Sequence, residues 1–212
     1  KAEVKFAILG TEEQCTGDAA RRIGNEYLFQ TLAKANVETL NRYNVKRIVT
    51  ACPHCFNTLK NEYGEMGGQY EVFHHSQFIA QMITDQKLKP TKANDETITF
   101  HDSCYLGRWN NVYSEPRSVL QAIPKVNLVE MKMNHEKGMC CGADRQVGDD
   151  HLAVHLRERV RGRETVVVQE LRKAAPLVGV PVRALALLVV RLVRDHARQE
   201  HVEHRRAAVL VG

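Results

Sequence analysis

The 212-residue chain has no run of about 18 apolar residues, the length a helix needs to cross a bilayer. Its opening, Lys1-Ala-Glu-Val-Lys-Phe-Ala-Ile-Leu-Gly10, lacks the long apolar stretch and cleavage site of a secretory signal and reads as a short buried strand. An initiator Met is also missing, so the expectation is a chain that begins inside a longer protein. With nothing that marks secretion, the cysteines are expected to be reduced. That favours metal or catalytic roles over disulfides, and a cytoplasmic location that extends to the inner face of the membrane.

The second scarcity is local. From Arg145 onward there is no Phe, Tyr, Trp, Ile, Met, Asn, Ser or Cys, and every aromatic residue lies earlier. Residues 1–144 hold 17 Lys+Arg and 17 Asp+Glu, whereas residues 145–212 hold 13 and 8, so the whole net charge of +5 sits in this tail. A basic tail can signal nucleic-acid or membrane contact. Here the residue types with AT-rich codons vanish while Arg, Val, Ala, Leu and His take over, as in an out-of-frame reading of GC-rich DNA. A frame junction close to Ala143 is therefore expected, with a helical or disordered tail, no nucleic-acid role, and membrane association only through missing parts or partner subunits. A natural amphipathic Arg-rich helix is the alternative, and a nucleic-acid binder built on that tail is a further one, which predicts steeply salt-dependent binding.

What is present is a cysteine pattern. Cys15 is followed after 36 residues by Cys52-Pro-His-Cys55, and Cys104 is followed after 35 residues by Cys140-Cys141-Gly142. Overlaid, the two sets describe one motif, C-x(n)-CCG-x(n)-CxxC, of which each copy lacks one end. Thiolates are soft ligands that select iron–sulfur clusters, zinc or copper. A CxxC on a strand-to-helix turn sets both sulfurs on one side. An adjacent Cys-Cys pair is poorly suited to one compact tetrahedral metal but can ligate two irons of an opened cluster, and Gly142 lets the backbone approach closely. The pattern points to an iron–sulfur protein and to electron transfer.

Three other readings compete. Cys52-Pro-His-Cys55 alone matches a thioredoxin-like redox motif, which leaves no use for Cys15, Cys104 or Cys140-Cys141. Structural zinc usually pairs two short spacings, and only one CxxC exists here. Buried inert cysteines would suit Cys15 alone better than six cysteines in two matched sets. His54, His74, His75 and His101 stand beside cysteines or near strand ends, where each could donate to a cluster sulfur or make one ordinary hydrogen bond. Arg21, Arg22, Arg108 and Arg117 could balance a cluster's charge or bind a carboxylate, with solvated helix charge as the plainer role for Arg21-Arg22.

The organisation is that of an α/β protein. Strands are predicted over 5–9, 46–51, 70–74, 97–101 and 127–131, and helices over 19–43, 53–63, 76–84 (with Ser76 as its cap) and 115–123. Residues 87–96 read as a polar linker. Alternating strands and helices argue for mainly parallel sheets, with Cys15, Cys52 and Cys104 at or beyond strand ends, where α/β ligand sites lie.

Cys104-Tyr-Leu-Gly-Arg108, Tyr113, Pro116-Arg117, Ala122-Ile-Pro124 and Met139-Cys-Cys-Gly-Ala143 resemble the cysteine-rich CCG domain of the B-type subunit of heterodisulfide reductase and of glycolate oxidase and lactate-utilisation iron–sulfur subunits. Cys15-Thr-Gly-Asp18, Ala20-Arg-Arg22, Gly24-Asn-Glu-Tyr-Leu-Phe29 and residues 50–63 resemble a preceding CCG repeat, similar to bacterial heterodisulfide-reductase-related oxidoreductases that work beside electron-transfer flavoproteins.

The resemblance implies two Rossmann-like CCG repeats, 1–90 and 91–144, the first lacking its N-terminal and the second its C-terminal part. It implies a [4Fe–4S] cluster, cubane-related or non-cubane, at Cys104, Cys140 and Cys141 with a lost CxxC, which by spacing would fall near 178–181, where no ligand stands. Cys15, Cys52 and Cys55 would serve a second cluster or zinc. It implies electron transfer from an electron-transfer flavoprotein or a flavin dehydrogenase subunit to a quinone or disulfide-like acceptor. A zinc-stabilised interaction module without catalysis is the alternative. The family's upstream ferredoxin-type motifs and membrane helices are not in this chain.

Overall fold

The structure, a computed structural model, describes residues 4–139, 165–168 and 208–211. It divides into two compact units, Lys1–Phe78 with Val182–Gly212, and Ile79–Pro181.

In the first unit a short strand β1 (Phe6–Ala7) precedes two helices, α1 (Asp18–Arg22) and α2 (Glu26–Arg42). The sequence predicts one helix over 19–43, and the structure breaks it at Ile23-Gly24-Asn25. Gly24 adopts φ +83°, which ends the first helix. The Asn25 side chain then caps the second by accepting from the Leu28 amide at 3.1 Å. Along α2 the buried positions are Phe29, Ala33, Asn36, Val37 and Leu40, one face of a 3.6-residue period with a single polar member.

Strand β2 (Arg47–Thr50) leads through Cys52 into α3 (Pro53–Asn57), whose first turn accepts Pro53 because that position needs no amide donor. The helical path continues as a π-helical turn, Thr58–Glu62, and a 3-10 turn, Tyr63–Met66, before β3 (Glu71–His74). Strands β2 and β3 pair in parallel, from Arg47↔Glu71 to Thr50↔His74. Ile48, Phe56 and Tyr63 are fully buried with Phe29 in this unit's core. Helix α4 (His75–Thr84) follows at once. Ser76 lies inside it rather than capping it, and its hydroxyl is taken by His74 Nδ1 at 2.7 Å.

The second unit is built on β4 (Thr97–Phe100), α5 (Ser114–Gln121) and β5 (Asn127–Leu128). Strand β4 is central and parallel to both β5 and β6 (Thr165–Val168). Ile98, Phe100, Leu106, Val119, Leu120 and Ile123 form its core. Pro116 sits in the first turn of α5, where its missing amide leaves no helical bond unmade.

The α/β class with parallel pairing holds, with one exception to the expected direction. Strand β7 (Ala208–Val211) runs antiparallel between β1 and β2, so the first sheet is mixed, in the order β1-β7-β2-β3. Among the described residues of the tail, two four-residue segments are strands, β6 and β7. Thr165-Val-Val-Val168 and Ala208-Val-Leu-Val211 are too rich in β-branched residues to prefer a helix. The expected frame junction at Ala143 and the positions 178–181 lie outside the described residues. No helix among the described residues is long and apolar enough to cross a membrane.

Candidate metal centre

The carboxyl ends of β2 and β4 each run into a cysteine, Cys52 and Cys104, as strand ends in α/β folds commonly lead into ligand sites. In the first unit the fold also brings the Cys15 loop to Cys55 of the CxxC helix. None of these cysteines, nor Cys104, is in a disulfide. Cys140, Cys141 and Gly142, the expected remainder of the second site, lie outside the described residues.

The three thiols of the first unit are electrostatically joined. The Cys55 thiol donates to Cys52, and with help from the Cys55 amide and from His54 it pulls Cys52 down to about 6 against the opposing effect of burial. Cys55 is pushed well up by the same hydrogen bond, by burial, and by the charges on Cys52 and Cys15. At neutral pH the pair therefore holds one proton on Cys55, and Cys52 is the thiolate. Two donors face the other sulfurs. The Thr16 hydroxyl lies 3.6 Å from Cys55 Sγ, and the Gly17 amide lies 3.4 Å from Cys15 Sγ.

The loop that carries Cys15 is held from below by groups the sequence does not single out. Asn36, the one polar residue on the buried face of α2, donates to the Cys15 carbonyl at 2.9 Å. It also donates to the Tyr63 hydroxyl at 3.1 Å, and that hydroxyl donates to the Thr16 carbonyl at 3.1 Å. Burial raises the Tyr63 phenol well above its ordinary range, so it remains a donor. Asp18 joins the same loop to the CxxC helix, with His54 Nδ1 at 2.8 Å and the Thr58 hydroxyl at 3.0 Å. Gly17 adopts φ +82°, and a Cβ there would meet Phe29 Cδ2 at 3.0 Å, so the turn after Cys15 needs glycine on both counts. An Asn in an otherwise apolar helix stripe was the one available sequence signal.

His54, His74 and His101 make ordinary hydrogen bonds, one of the two roles the sequence left open to them. His54 is engaged with Asp18 through Nδ1. Buried His74 bonds Ser76 and the Ala51 carbonyl, and burial together with neighbouring His75 lowers its pKa well below the ordinary value, so the ring is neutral. His101 Nε2 donates to the Met139 carbonyl at 2.8 Å.

Arg21, half-buried, and Arg22, exposed, are helix charges engaged in ion pairs. Both pair with Glu62, at 3.2 and 2.5 Å, and Arg22 also reaches Asp18 at 3.1 Å. Arg117 is only 7 % exposed and is filled by two carboxylates. Its nitrogens meet Asp102 at 2.8 and 2.9 Å and Glu130 at 2.6 and 2.9 Å, which leaves no free edge for a substrate carboxylate. Arg108 donates to the Gly138 carbonyl.

Among the described residues, no group of three or more His, Cys, Asp or Glu is gathered tightly enough to hold a metal ion as it stands. The donor chemistry nonetheless fits a thiophilic group. One unit offers three sulfurs, one of them a thiolate at neutral pH, with neutral hydrogen-bond donors aimed at the others.

Cysteines just beyond the carboxyl ends of two parallel-paired strands, β2 and β4, are the recurring feature of this α/β chain. The cysteine-rich domain model matches residues 1–60 and 98–168, and the chain belongs to that family. It is 54 % identical over 142 residues to a probable iron–sulfur-binding oxidoreductase, FadF, of Bacillus subtilis, which covers 67 % of this chain and 20 % of that protein. It is 52 % identical over 143 residues to the EtfAB:quinone oxidoreductase of Syntrophomonas wolfei, covering 68 % and 20 %. With a subunit of the dihydromethanophenazine:CoB–CoM heterodisulfide reductase of Methanosarcina barkeri it shares 40 % identity over 166 residues, covering 74 % and 41 %. The chain thus spans about one fifth of the length of the first two relatives. No solved structure matches it.

Proposed function

We propose that this chain is part of an iron–sulfur oxidoreductase subunit that passes electrons from a flavoprotein-type donor to a quinone or disulfide-like acceptor. The observation that carries the reading is that one unit holds the Cys52-Cys55 pair with the Cys15 loop folded onto it, the Thr16 hydroxyl lying 3.6 Å from Cys55 Sγ. The relatives support it by name, as iron–sulfur-binding, quinone-linked and heterodisulfide-linked proteins.

In this reading Cys15, Cys52 and Cys55 ligate one metal group, and Cys104 with Cys140 and Cys141 ligates a [4Fe–4S] cluster, cubane-related or non-cubane. When bound, such a cluster supplies one-electron storage at a potential tuned by its surroundings. The chain's own contribution is ligand readiness and tuning. Cys52 needs no base to bind metal at neutral pH. The Thr16 hydroxyl and Gly17 amide withdraw electron density from the Cys55 and Cys15 sulfurs, which raises a potential. Asn36, Tyr63 and Asp18 hold the Cys15 loop so that the sulfurs stay on one side. A multi-subunit assembly with an electron-transfer flavoprotein or flavin dehydrogenase subunit is the setting we propose.

The test is iron, acid-labile sulfide and zinc on the anaerobically reconstituted chain. Iron with matching sulfide is expected. Zinc without sulfide would replace this reading with a zinc-stabilised interaction module. Absence of all three would show that the chain binds no cluster by itself.

A further inference from the structure

The last paired residues of β2 and β3 are Thr50 and His74, which stand opposite one another in the parallel ladder. Just beyond the ladder, the peptide that joins Ala51 to Cys52 is held on both edges by these two side chains. His74 Nε2 lies 3.2 Å from the Ala51 carbonyl oxygen, and the Thr50 hydroxyl oxygen accepts from the Cys52 amide at 3.4 Å. The bond on the carbonyl side has a defined direction. The Ser76 amide, which can only donate, lies 3.4 Å from His74 Nδ1, and the Ser76 hydroxyl lies 2.7 Å from the same atom. Nδ1 is therefore the acceptor, and the ring proton sits on Nε2, against a carbonyl that can only accept. Thr50, His74 and Ser76 are all buried. Phe56, from the CxxC helix, meets the His74 ring at 65° with centroids 6.0 Å apart. A peptide is planar, so holding its oxygen and its amide fixes the plane from which the Cys52 side chain departs.

We infer that His74 and Thr50 are positioning residues for Cys52, which hold the Ala51–Cys52 peptide so that the Cys52 sulfur stays beside that of Cys55. Ser76 acts one step further back, by fixing the tautomer and the orientation of the His74 ring. The purpose of this device rests on the cluster reading, but the device is a property of the metal-free chain. Burying an imidazole costs free energy that an apolar side chain of similar size does not. Here both ring nitrogens are used, and the proton-bearing one serves the carbonyl that precedes Cys52.

Two measurements on the full, reduced, metal-free chain test this. Nitrogen NMR of the wild-type imidazoles should show the His74 proton on Nε2, and a proton on Nδ1 overturns the inference. Equilibration with glutathione and its disulfide then gives the effective concentration of the Cys52–Cys55 pair, with peptide mass spectrometry counting the links. Each link moves two electrons and two protons from the thiol pair to glutathione disulfide, which leaves as two glutathiones. His74→Phe should lower the effective concentration by about threefold to tenfold, the strength of one hydrogen bond. His74→Gln, which offers an amide N–H to the same carbonyl, should recover part of the loss. Thr50→Val keeps the branched shape and removes the acceptor, so it should lower the value too, and it decides the matter where His74→Phe unfolds. An unchanged value in His74→Phe or in Thr50→Val overturns the inference. So does an equal loss in His74→Gln and His74→Phe, which would assign the ring to packing, or a wild-type pair that forms no link. Failure of the cluster reading appears separately, as wild-type chain that takes up no iron and sulfide while its tautomer and glutathione values stand.

Discussion

His54 Nδ1 lies 2.8 Å from Asp18 Oδ2, which ties the middle of the CxxC motif to the loop that bears Cys15. The same carboxylate receives the Thr58 hydroxyl and the Arg22 guanidinium, so it is the junction of α1, the Cys15 loop and the CxxC helix.

Burial by itself would raise the Asp18 carboxyl, but His54, Thr58 and Arg22 outweigh it and hold the group below its ordinary 3.8. A carboxyl held low binds fewer protons when folded than when unfolded at acid pH. Its contribution is therefore complete above pH 3.8 and is lost as pH falls through the lower folded value. Asp18→Asn should cost about 1–3 kcal/mol at pH 7, and its deficit against the wild type should shrink below about pH 4. Urea midpoints at pH 7, 5 and 3 give the comparison. A deficit that does not change with pH would mean that charge is irrelevant at this junction.

Cys52 should react with iodoacetamide along a titration centred at about 6, with Cys55 slow throughout the neutral range. Cys55→Ala removes the largest cause of that depression, so the Cys52 midpoint should move up toward the ordinary thiol value of 9.0. Rates resolved by peptide across pH 5–9 measure it. An unmoved midpoint would assign the shift to His54 and the backbone instead.

Gly107 admits no side chain. A Cβ there would stand 2.4 Å from Tyr113 Cε1 and 2.9 Å from Cζ, so Gly107→Ala must displace the ring or the Cys104 turn. A loss of about 1–3 kcal/mol is expected, read as a lower melting temperature. Tyr113→Ala in the same background should relieve part of that specific penalty, and no relief would place the strain elsewhere.

Removing Arg117 leaves Asp102, almost wholly buried, and Glu130 without their shared cation. Arg117→Met should cost about 3–5 kcal/mol in chemical denaturation. Adding Asp102→Asn should recover part of it, because the orphaned buried charge is then gone. If the double variant is no more stable than the single one, the hydrogen-bond geometry rather than the buried charge is what matters here.

The α/β class, β2, β3, β4 and α5 were legible in the sequence because their periodicities are local. Ile48 and Val49, or Ile98 and Phe100, declare a strand within four residues. The single helix expected over 19–43 was not resolved into two. The apolar spacing runs on through Ile23 and Tyr27, and both of those side chains prove to be exposed. Capping by Asn25 and the positive φ of Gly24 outweigh that spacing.

Cysteine spacing alone determined the candidate ligands and the chemistry open to them, since ligand type follows from side-chain identity. Only the tertiary structure decided what holds them. Asn36 reaches Cys15 across 21 positions, Arg117 reaches Asp102 across 15, and His101 reaches Met139 across 38. Such contacts carry no periodic signal, because a buried polar group is defined by the partner that the folded chain brings to it. The same rule reassigned the arginines. Their charge was plain in the sequence, but whether a charge faces a ligand, a solvent or a carboxylate depends on packing, and packing placed two carboxylates on Arg117.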